Sequence, residues 1–378
     1  MRVALVHDWL LGMRGGEKCL EIFCELFPDA ELYTLISDAE KISSTIRRMK
    51  INNSWLSRFP RIKSHYRNFL PLFPAAIESI DLSNYDLILS SSHCVAKGIF
   101  PHRALHVAYV HAPMRYVWDM YDAYFSRRNL MARTAMTVCR PYLQRWDVRS
   151  AGRVDYFIAN SLNVAAKIRR LYARPATVLY PPVDLSKFRI SNEQGPYYLV
   201  VSALVPYKRI DIVIEAFNRL KLPLKIAGQG PLRKQLERAS GPNIEFLGWV
   251  SDEKLVQLYA SSQALIFPGE EDFGIVPLEA QASGRPVIAY GKGGVLETVI
   301  ALDSSADPPN RQTAPTGILF PEQSSECLIT AIERFDRARK AFDPAKLRLH
   351  AAGFSRERFK AQVKEFVDKR FDQRRERA

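Results

Sequence analysis

Short apolar runs alternate with segments of helical spacing along the second half of the chain. The predicted strands there are 197–202, 224–227, 244–247, 264–267 and 286–289, and the predicted helices include 208–220, 252–260 and 274–283. This alternation is typical of a parallel α/β sheet. Because such sheets bind ligands beyond the carboxyl ends of their strands, the loops after Ser202, Ala227, Phe267 and Ala289 should converge on one site.

The first half shows the same rhythm less regularly. Strands are predicted at 3–7, 87–90, 106–111 and 156–160, and helices at 17–27, 138–152 and 164–172. Proline and polar residues interrupt the pattern between 180 and 196, which predicts a linker. A charged helix is expected at 355–377. The pattern therefore predicts an α/β protein with two Rossmann-like domains across a cleft, divided as 1–190, 191–354 and a terminal helix 355–378.

Length and composition agree with two globular domains. The 378 residues are 47% hydrophobic and 25% charged, and no apolar run reaches the roughly 18 residues of a membrane span. The first residues lack the apolar stretch of a signal peptide. Five cysteines are scattered without metal-type spacing, which favours a reducing cytosol.

The charge is unevenly distributed. Of the net +14, residues 1–190 contribute +11 and residues 191–378 contribute +3. A basic half of this kind suits nucleic acid, anionic lipid or a phosphorylated substrate, and otherwise serves solubility. No nucleic-acid-binding motif is present, so we expect no nucleic-acid partner.

Residues 41–80 form a basic, aromatic-rich stretch, with eight basic and no acidic residues between Lys41 and Ile77. Its aromatic residues are Trp55, Phe59, Tyr66, Phe69 and Phe73. This composition fits a peripheral membrane surface, because aromatic side chains settle at the interface and cations meet anionic headgroups. The alternative is an ordinary helix pair with core aromatics and solvated charges.

The segment 267–280 leaves a predicted strand and opens a helix. Unpaired amides at a helix start suit phosphate, and Gly274 allows a ligand to approach the backbone closely. Glu271 and Glu279, eight residues apart, could each accept hydrogen bonds from one sugar of a nucleotide-sugar. Spacing alone favours the simpler interpretation, in which acidic residues only stabilise the helix dipole.

Several motifs in register resemble the family 4 retaining glycosyltransferases of the GT-B fold. The Glu271–Glu279 segment is similar to the E-x7-E signature of that family. Further similar segments are 201–208, 226–231, 244–249, 293–297, 160–161 and 180–184, together with Gly15-Gly16-Glu17. Residues 109–119 look like the mannosyltransferases of bacterial O-antigen and exopolysaccharide assembly. The resemblance covers nearly the whole chain and implies a C-terminal helix that crosses back to the N-terminal domain.

The resemblance also implies roles for individual residues of the second half. Glu271 should contact the transferred sugar, Glu279 the donor ribose, and Lys208 the diphosphate. The amides of Phe273, Gly274 and Ile275 should face the sugar and phosphate. The sequence departs from the family pattern at one position, where Ala203 replaces the arginine that is usual in the family. Arg209, next to Lys208, could supply the missing charge.

In the first half, the resemblance places the amide of Gly16 at the phosphate and His111 over the sugar near the reacting carbon, with Glu271 and Lys208 completing the catalytic group. Gly15 and Gly16 by themselves are more often only a turn. A lone histidine such as His111 is more often structural. His7 and Asp8 end the first strand and either face the site or cap a turn.

The predicted reaction is the transfer of a sugar, with retention of its anomeric configuration, to a lipid-diphosphate-linked or oligosaccharide acceptor. The favoured sugar is mannose, and the favoured donor is GDP-mannose. We expect neither metal nor cofactor, since no Asp-x-Asp pair occurs. The expected location is the cytoplasmic face of the inner membrane. The alternatives are a UDP- or ADP-sugar donor, another GT-B activity such as a phosphorylase or epimerase, and a catalytically weak nucleotide-sugar-binding protein.

Overall fold

The computed structural model describes residues 1–121, 130–191, 193–302 and 314–376. The chain divides into two compact units. Unit 1 comprises Met1–Pro181 and the C-terminal helix from Phe359 onward, and unit 2 comprises Pro182–Arg358. Each unit contains one parallel sheet with helices, which confirms the predicted α/β class with two Rossmann-like domains.

Unit 1 is built on a seven-stranded parallel sheet in the order β3-β2-β1-β4-β5-β6-β7. Its strands are β1 (Val3–His7), β2 (Glu31–Thr34), β3 (Lys50–Asn53), β4 (Leu87–Ser92), β5 (Leu105–Val110), β6 (Tyr156–Ala159) and β7 (Ala176–Val178). Its helices within residues 1–181 are α1 (Gly15–Leu26), α2 (Ser44–Arg47), α3 (Ile62–His65), α4 (Phe73–Glu78), α5 (Leu130–Ala151) and α6 (Leu162–Tyr172), with short 3₁₀ turns between them. The central strands β1, β4 and β5 are buried along their whole length, because helices cover both faces.

The C-terminal helix α14 (Arg356–Arg375) contributes to the core of unit 1. Its apolar residues Phe359, Val363 and Val367 are fully buried in the same cluster as α1 and β5. The ring of Phe359 stacks on that of Phe23 with ring centres 6.0 Å apart, and it packs edge-on against Tyr109 with ring centres 5.5 Å apart. The last element of the chain is therefore an integral part of the first unit.

Unit 2 is built on a six-stranded parallel sheet in the order β10-β9-β8-β11-β12-β13. Its strands are β8 (Tyr198–Val201), β9 (Leu224–Ala227), β10 (Ile244–Gly248), β11 (Leu265–Phe267), β12 (Val287–Tyr290) and β13 (Gly317–Phe320). Its helices are α7 (Ile210–Leu220), α8 (Arg233–Ala239), α9 (Asp252–Ser261), α10 (Ile275–Ala282), α11 (Val295–Thr298), α12 (Ser325–Ala338) and α13 (Pro344–Ala352). The carboxyl ends of β8 and β11 are adjacent, so the loops that follow them lie side by side.

The stretch 41–80 is not a helix pair. It contains the edge strand β3 and a series of short helical turns, of which Tyr66–Leu72 is a 3₁₀ helix interrupted by Pro71. Proline removes a backbone donor and prevents a continuous helix here.

Candidate functional site

The loop after β11 is fixed by the neighbouring loop after β12. The carbonyl of Glu271 accepts the Gly294 N–H at 2.8 Å, and Glu271 forms an isolated bridge with Gly293. Gly293 has φ +79°, and a Cβ at this position would lie 2.4 Å from the Glu271 carbonyl oxygen. Glycine is therefore required for this approach, which anchors the backbone beneath the Glu271 side chain.

Lys208 and Glu271 meet at the carboxyl ends of β8 and β11. Lys208 ends the 3₁₀ turn Pro206–Lys208, and its Nζ forms an ion pair with Oε1 of Glu271. The side chains are 14% and 25% exposed, so the pair is only partly open to solvent. The Lys208 ammonium also lies 5.3 Å from the ring centre of Tyr207. The structure thus brings together the two residues of unit 2 predicted to act in catalysis.

Helix α10 begins directly after this pair. Gly274 is its N-cap with φ +89°, a conformation that glycine adopts without strain. Glu279 lies inside the helix, is only 6% exposed, and accepts a hydrogen bond from the Tyr259 hydroxyl at 2.9 Å. Burial and the nearby Glu279 carboxylate raise the pKa of Tyr259 well above its usual value, so the phenol remains a donor. The amides at the helix start belong to Phe273, Gly274 and Ile275.

The loop after β8 is held by the glycine turn after β9. A Cβ at Gly228 would lie 1.9 Å from the Ser202 carbonyl oxygen, and one at Gly230 would lie 2.3 Å from that of Leu204. Ala203 sits between these contacts and is exposed. Arg209 follows with φ +51°, and its Nε donates to Asp211 at 3.1 Å. Compensation of Ala203 by Arg209 stays a prediction.

A second group of predicted residues lies in unit 1. Gly15 and Gly16 begin α1, and a Cβ added to Gly16 would lie 3.5 Å from Nε2 of His111 and 3.6 Å from Cε1 of His7. Gly15 faces open space. The structure therefore places Gly16 beside His111. Their roles in binding stay predictions.

His111 is held from three sides at the end of β5. Its Nε2 is hydrogen-bonded to Oγ of Ser91 at 2.8 Å, its carbonyl accepts from Asn160 at 2.9 Å, and its ring centre lies 5.0 Å from that of Tyr109. Burial, with the charges of His93 and His7, lowers the pKa of His111 to about 3. The imidazole is therefore neutral at physiological pH.

The sequence left open whether Asp8 faces the site or caps a turn. In the structure, Asp8 caps a turn. Its fully buried carboxylate accepts four backbone N–H groups, from residues 93–96, at 2.5–3.0 Å, and Nδ1 of His93 at 3.0 Å. Burial opposes ionisation, yet the charge and hydrogen bond of His93 keep the pKa of Asp8 well below its usual value. Asp8 thus ties β1 to the turn after β4.

The sequence did not indicate the contacts of three polar residues that support these groups. Ser91 ends the apolar run of β4, Tyr259 supports Glu279, and Glu17 approaches His7 with Oε1 3.9 Å from Nε2. The polar run Ser90-Ser91-Ser92 at the carboxyl end of a predicted strand was the available signal for the first. Within the described residues, no group of three metal-type ligands is found.

Comparison with protein families identifies the second unit. Residues 184–353, which lie within unit 2, match the family model described as Glycosyl transferases group 1. An O-antigen chain mannosyltransferase C of Escherichia coli is 25% identical over 202 residues, covering 49% of this chain and 52% of the relative. A GDP-mannose-dependent alpha-(1-6)-phosphatidylinositol dimannoside mannosyltransferase of Mycobacterium tuberculosis is 38% identical over 120 residues, covering 31% and 29%. The matched part of the chain thus spans about half or less of the length of these curated relatives.

Solved structures match over almost the whole chain. HepE of Anabaena, in complex with UDP and glucose, superposes with a TM-score of 0.73 at 19% identity, covering 98% of this chain and 100% of that one. Sucrose-phosphate synthase from Thermosynechococcus elongatus gives a TM-score of 0.71 at 17% identity, covering 99% and 100%. These likenesses show the fold, which is the two-unit GT-B type.

Proposed function

We propose that this chain, which carries a Glycosyl transferases group 1 domain, is a retaining glycosyltransferase that transfers mannose from GDP-mannose to a lipid-linked or oligosaccharide acceptor. The observation that carries the proposal is the corner where Lys208, Glu271 and the start of α10 meet. A cation, a hydroxyl acceptor and the amides of a helix start are the groups that a sugar diphosphate requires.

The chemistry follows from the charge that develops as the sugar leaves. A departing diphosphate gains negative charge while the sugar becomes oxocarbenium-like, so fixed donors and cations aimed at the phosphate lower the barrier. Lys208 and the α10 amides suit the diphosphate, and Glu271 suits the sugar hydroxyls. Glu279, fixed by Tyr259, suits the ribose. This proposal uses neither a metal nor a cofactor.

Mannose is favoured because two of the curated relatives are named mannosyltransferases, one of them GDP-mannose-dependent. A UDP-linked donor is the second candidate, because HepE was solved with UDP and with UDP-glucose. A rhamnosyltransferase and a sulfoquinovosyl transferase are also among the relatives. The identity of the donor base is therefore open to a direct test.

Nucleotide binding should raise the melting temperature selectively. We expect GDP at about 100-fold above its Kd to stabilise the protein by about 2.7 kcal/mol, which corresponds to several degrees. UDP and ADP should give smaller shifts in the same screen. Glu279→Gln should reduce the GDP shift, while Glu245→Gln, at an exposed residue of β10, should leave it unchanged. A shift with UDP alone would exclude GDP-mannose as the donor.

We further propose that unit 1 binds an anionic membrane surface. No helix in the described ranges is both long and apolar enough to cross a bilayer. Phe59 and Leu72 remain 41% and 42% exposed, beside exposed Arg58 and Arg61. Phe73 is buried, so only part of the aromatic stretch is available to lipid.

Helix α5 adds a second surface of the same kind. Val138, Tyr142 and Val148 are 73%, 49% and 41% exposed, and Arg145 and Arg149 are exposed beside them. The buried side of α5 packs into the same core cluster as the 55–73 stretch. Both basic, apolar surfaces therefore belong to segments that pack against one core cluster of unit 1.

Liposome binding tests this surface. We expect cosedimentation with vesicles containing phosphatidylserine but not with phosphatidylcholine vesicles, and binding should weaken with salt. Reversing two charges in Arg58→Glu/Arg61→Glu should lower the affinity at least about tenfold, since each basic residue contributes about 1 kcal/mol. The matched reversal Arg337→Glu/Lys340→Glu in unit 2 should have little effect. Equal loss in both variants, or no binding at low salt, would contradict the proposal.

A further inference from the structure

A chain of buried polar groups leads away from His111 into unit 1. Nε2 of His111 meets Oγ of Ser91 at 2.8 Å, and the same oxygen meets Nδ1 of His7 at 3.0 Å. Nε2 of His7 then lies 3.9 Å from Oε1 of Glu17. Ser91 and His7 are fully buried and Glu17 is 5% exposed. The reaction described above assigns no part to these three residues.

The single hydroxyl proton of Ser91 couples the two histidines. Ser91 can donate to only one ring nitrogen, so it must accept from the other. In one direction, His111 Nε2–H donates to Ser91, Ser91 donates to Nδ1 of His7, and His7 carries its proton on Nε2. In the other direction every bond is reversed, and His111 carries its proton on Nδ1. For two neutral rings, the direction of the chain decides both tautomers.

Glu17 favours the first direction. Its other oxygen, Oε2, accepts the Arg14 N–H at 3.0 Å and caps α1. Burial opposes its ionisation, but the nearby His7 ring, and more weakly His93, lower the pKa of the carboxyl below its usual value. Among the described residues, Nε2 of His7 has no hydrogen-bond partner within 3.5 Å, and it faces this carboxylate. A proton on Nε2 of His7 is attracted by the negative charge of Glu17, whereas the lone pair of an unprotonated Nε2 would be repelled by it.

The other charged neighbours do not enter this chain. Asp8 is occupied by four backbone amides and by His93, and its carboxylate therefore acts on His7 and His111 through its charge. Gly16 lies over both rings without a side chain. Glu17 is thus the acceptor that sets the direction.

We propose that Glu17, His7 and Ser91 are positioning residues that hold His111 as the Nε2–H tautomer and leave its Nδ1 as a hydrogen-bond acceptor. On the proposed function, that bare nitrogen accepts a hydroxyl of the bound sugar. A neutral imidazole with one fixed acceptor can orient a hydroxyl without adding charge beside the oxocarbenium-like centre.

The tautomer can be observed in the free protein. Long-range ¹H–¹⁵N spectra of histidine-labelled protein at about pH 8, above the ~6.5 of an ordinary imidazole, should show His111 protonated on Nε2. The signals are identified by their loss in His111→Gln. In Glu17→Gln, the amide oxygen keeps the Arg14 N–H and the amide nitrogen faces His7. This donor should reverse the chain and move the His111 proton to Nδ1.

The same strand supplies a matched control. Ser90 is hydrogen-bonded to Nε2 of His106 at 2.8 Å, a serine–histidine pair outside this chain. Ser90→Ala should leave the His111 spectrum unchanged, while Ser91→Ala should give a mixture of both tautomers. A wild-type His111 with its proton on Nδ1, or an unchanged tautomer in Glu17→Gln, would overturn the proposal.

Kinetics separate this proposal from the proposed function. Glu17→Gln should lower kcat about tenfold with little change in KM for the donor, the effect of one lost hydrogen bond to the reacting sugar. If no donor supports transfer, the proposed function fails and the tautomer result still stands. If the enzyme transfers sugar but the tautomer does not respond to Glu17→Gln, only this inference fails.

Discussion

Glu271→Ala is expected to lower kcat for sugar transfer by at least about 10³-fold while the protein remains folded. The substitution removes the proposed hydroxyl acceptor of the transferred sugar and leaves the Lys208 ammonium without its carboxylate. The loop itself should persist, because it is the backbone carbonyl of residue 271 that accepts the Gly294 N–H. Initial rates with GDP-mannose and an acceptor, together with circular dichroism, measure both effects.

Glu270 provides the matched control. It precedes Glu271, is 40% exposed, and pairs with Lys292 at 3.3 Å. Glu270→Ala should retain nearly full activity, because an exposed ion pair contributes little. Near-normal turnover in Glu271→Ala would remove Glu271 from the catalytic group, and an equal loss in Glu270→Ala would show that only the loop's charge matters.

Asp8→Ala is expected to cost about 4 kcal/mol of unfolding free energy, because four buried backbone donors lose their acceptor at once. Urea denaturation measures the change. The pKa of Asp8 is lower in the folded protein than in the unfolded chain. Its stabilising contribution is therefore complete above about pH 4 and disappears as the pH falls below that value. The variant should lose stability less steeply than the wild type in this acid range.

Asp81 is a suitable comparison, since its side chain is 75% exposed and accepts the nearby Ser83 N–H at 2.9 Å. Asp81→Ala should cost less than about 1 kcal/mol. Similar midpoints for Asp8→Ala and the wild type would mean that the 93–96 turn finds its acceptors elsewhere, contrary to the structure.

The sequence predicted the elements whose signal is local. Val3–His7 and Leu224–Ala227 are observed with the predicted bounds, because fully buried parallel strands are continuous apolar runs. The corner at Glu271 and Gly274 was also predictable, since strand carboxyl ends converge in any such sheet. Both placements depended only on neighbouring residues and a general rule of topology, whereas the role of Glu271 at the sugar came only from the family resemblance.

The elements that escaped prediction depend on distant partners. Strands Glu31–Thr34 and Lys50–Asn53 are partly exposed and polar, so pairing in the sheet, and not hydrophobic periodicity, defines them. The Ser91–His7 hydrogen bond joins residues 84 positions apart. Asp8 could be recognised as a possible cap, but its donors lie after a different strand. The spacing of residues along the chain does not predict contacts between such distant positions.

The place of α14 in the core of unit 1 affects how the protein can be made. Phe359, Val363 and Val367 complete a cluster that contains Phe23 and Tyr109, yet all of unit 2 is synthesised between these groups. At about 5–20 residues per second, a ribosome needs roughly 10–35 s to cross that interval. During this time the nascent first unit holds an open apolar surface, a natural target for a chaperone. We therefore expect unit 1 to finish folding only after translation of the chain's last helix.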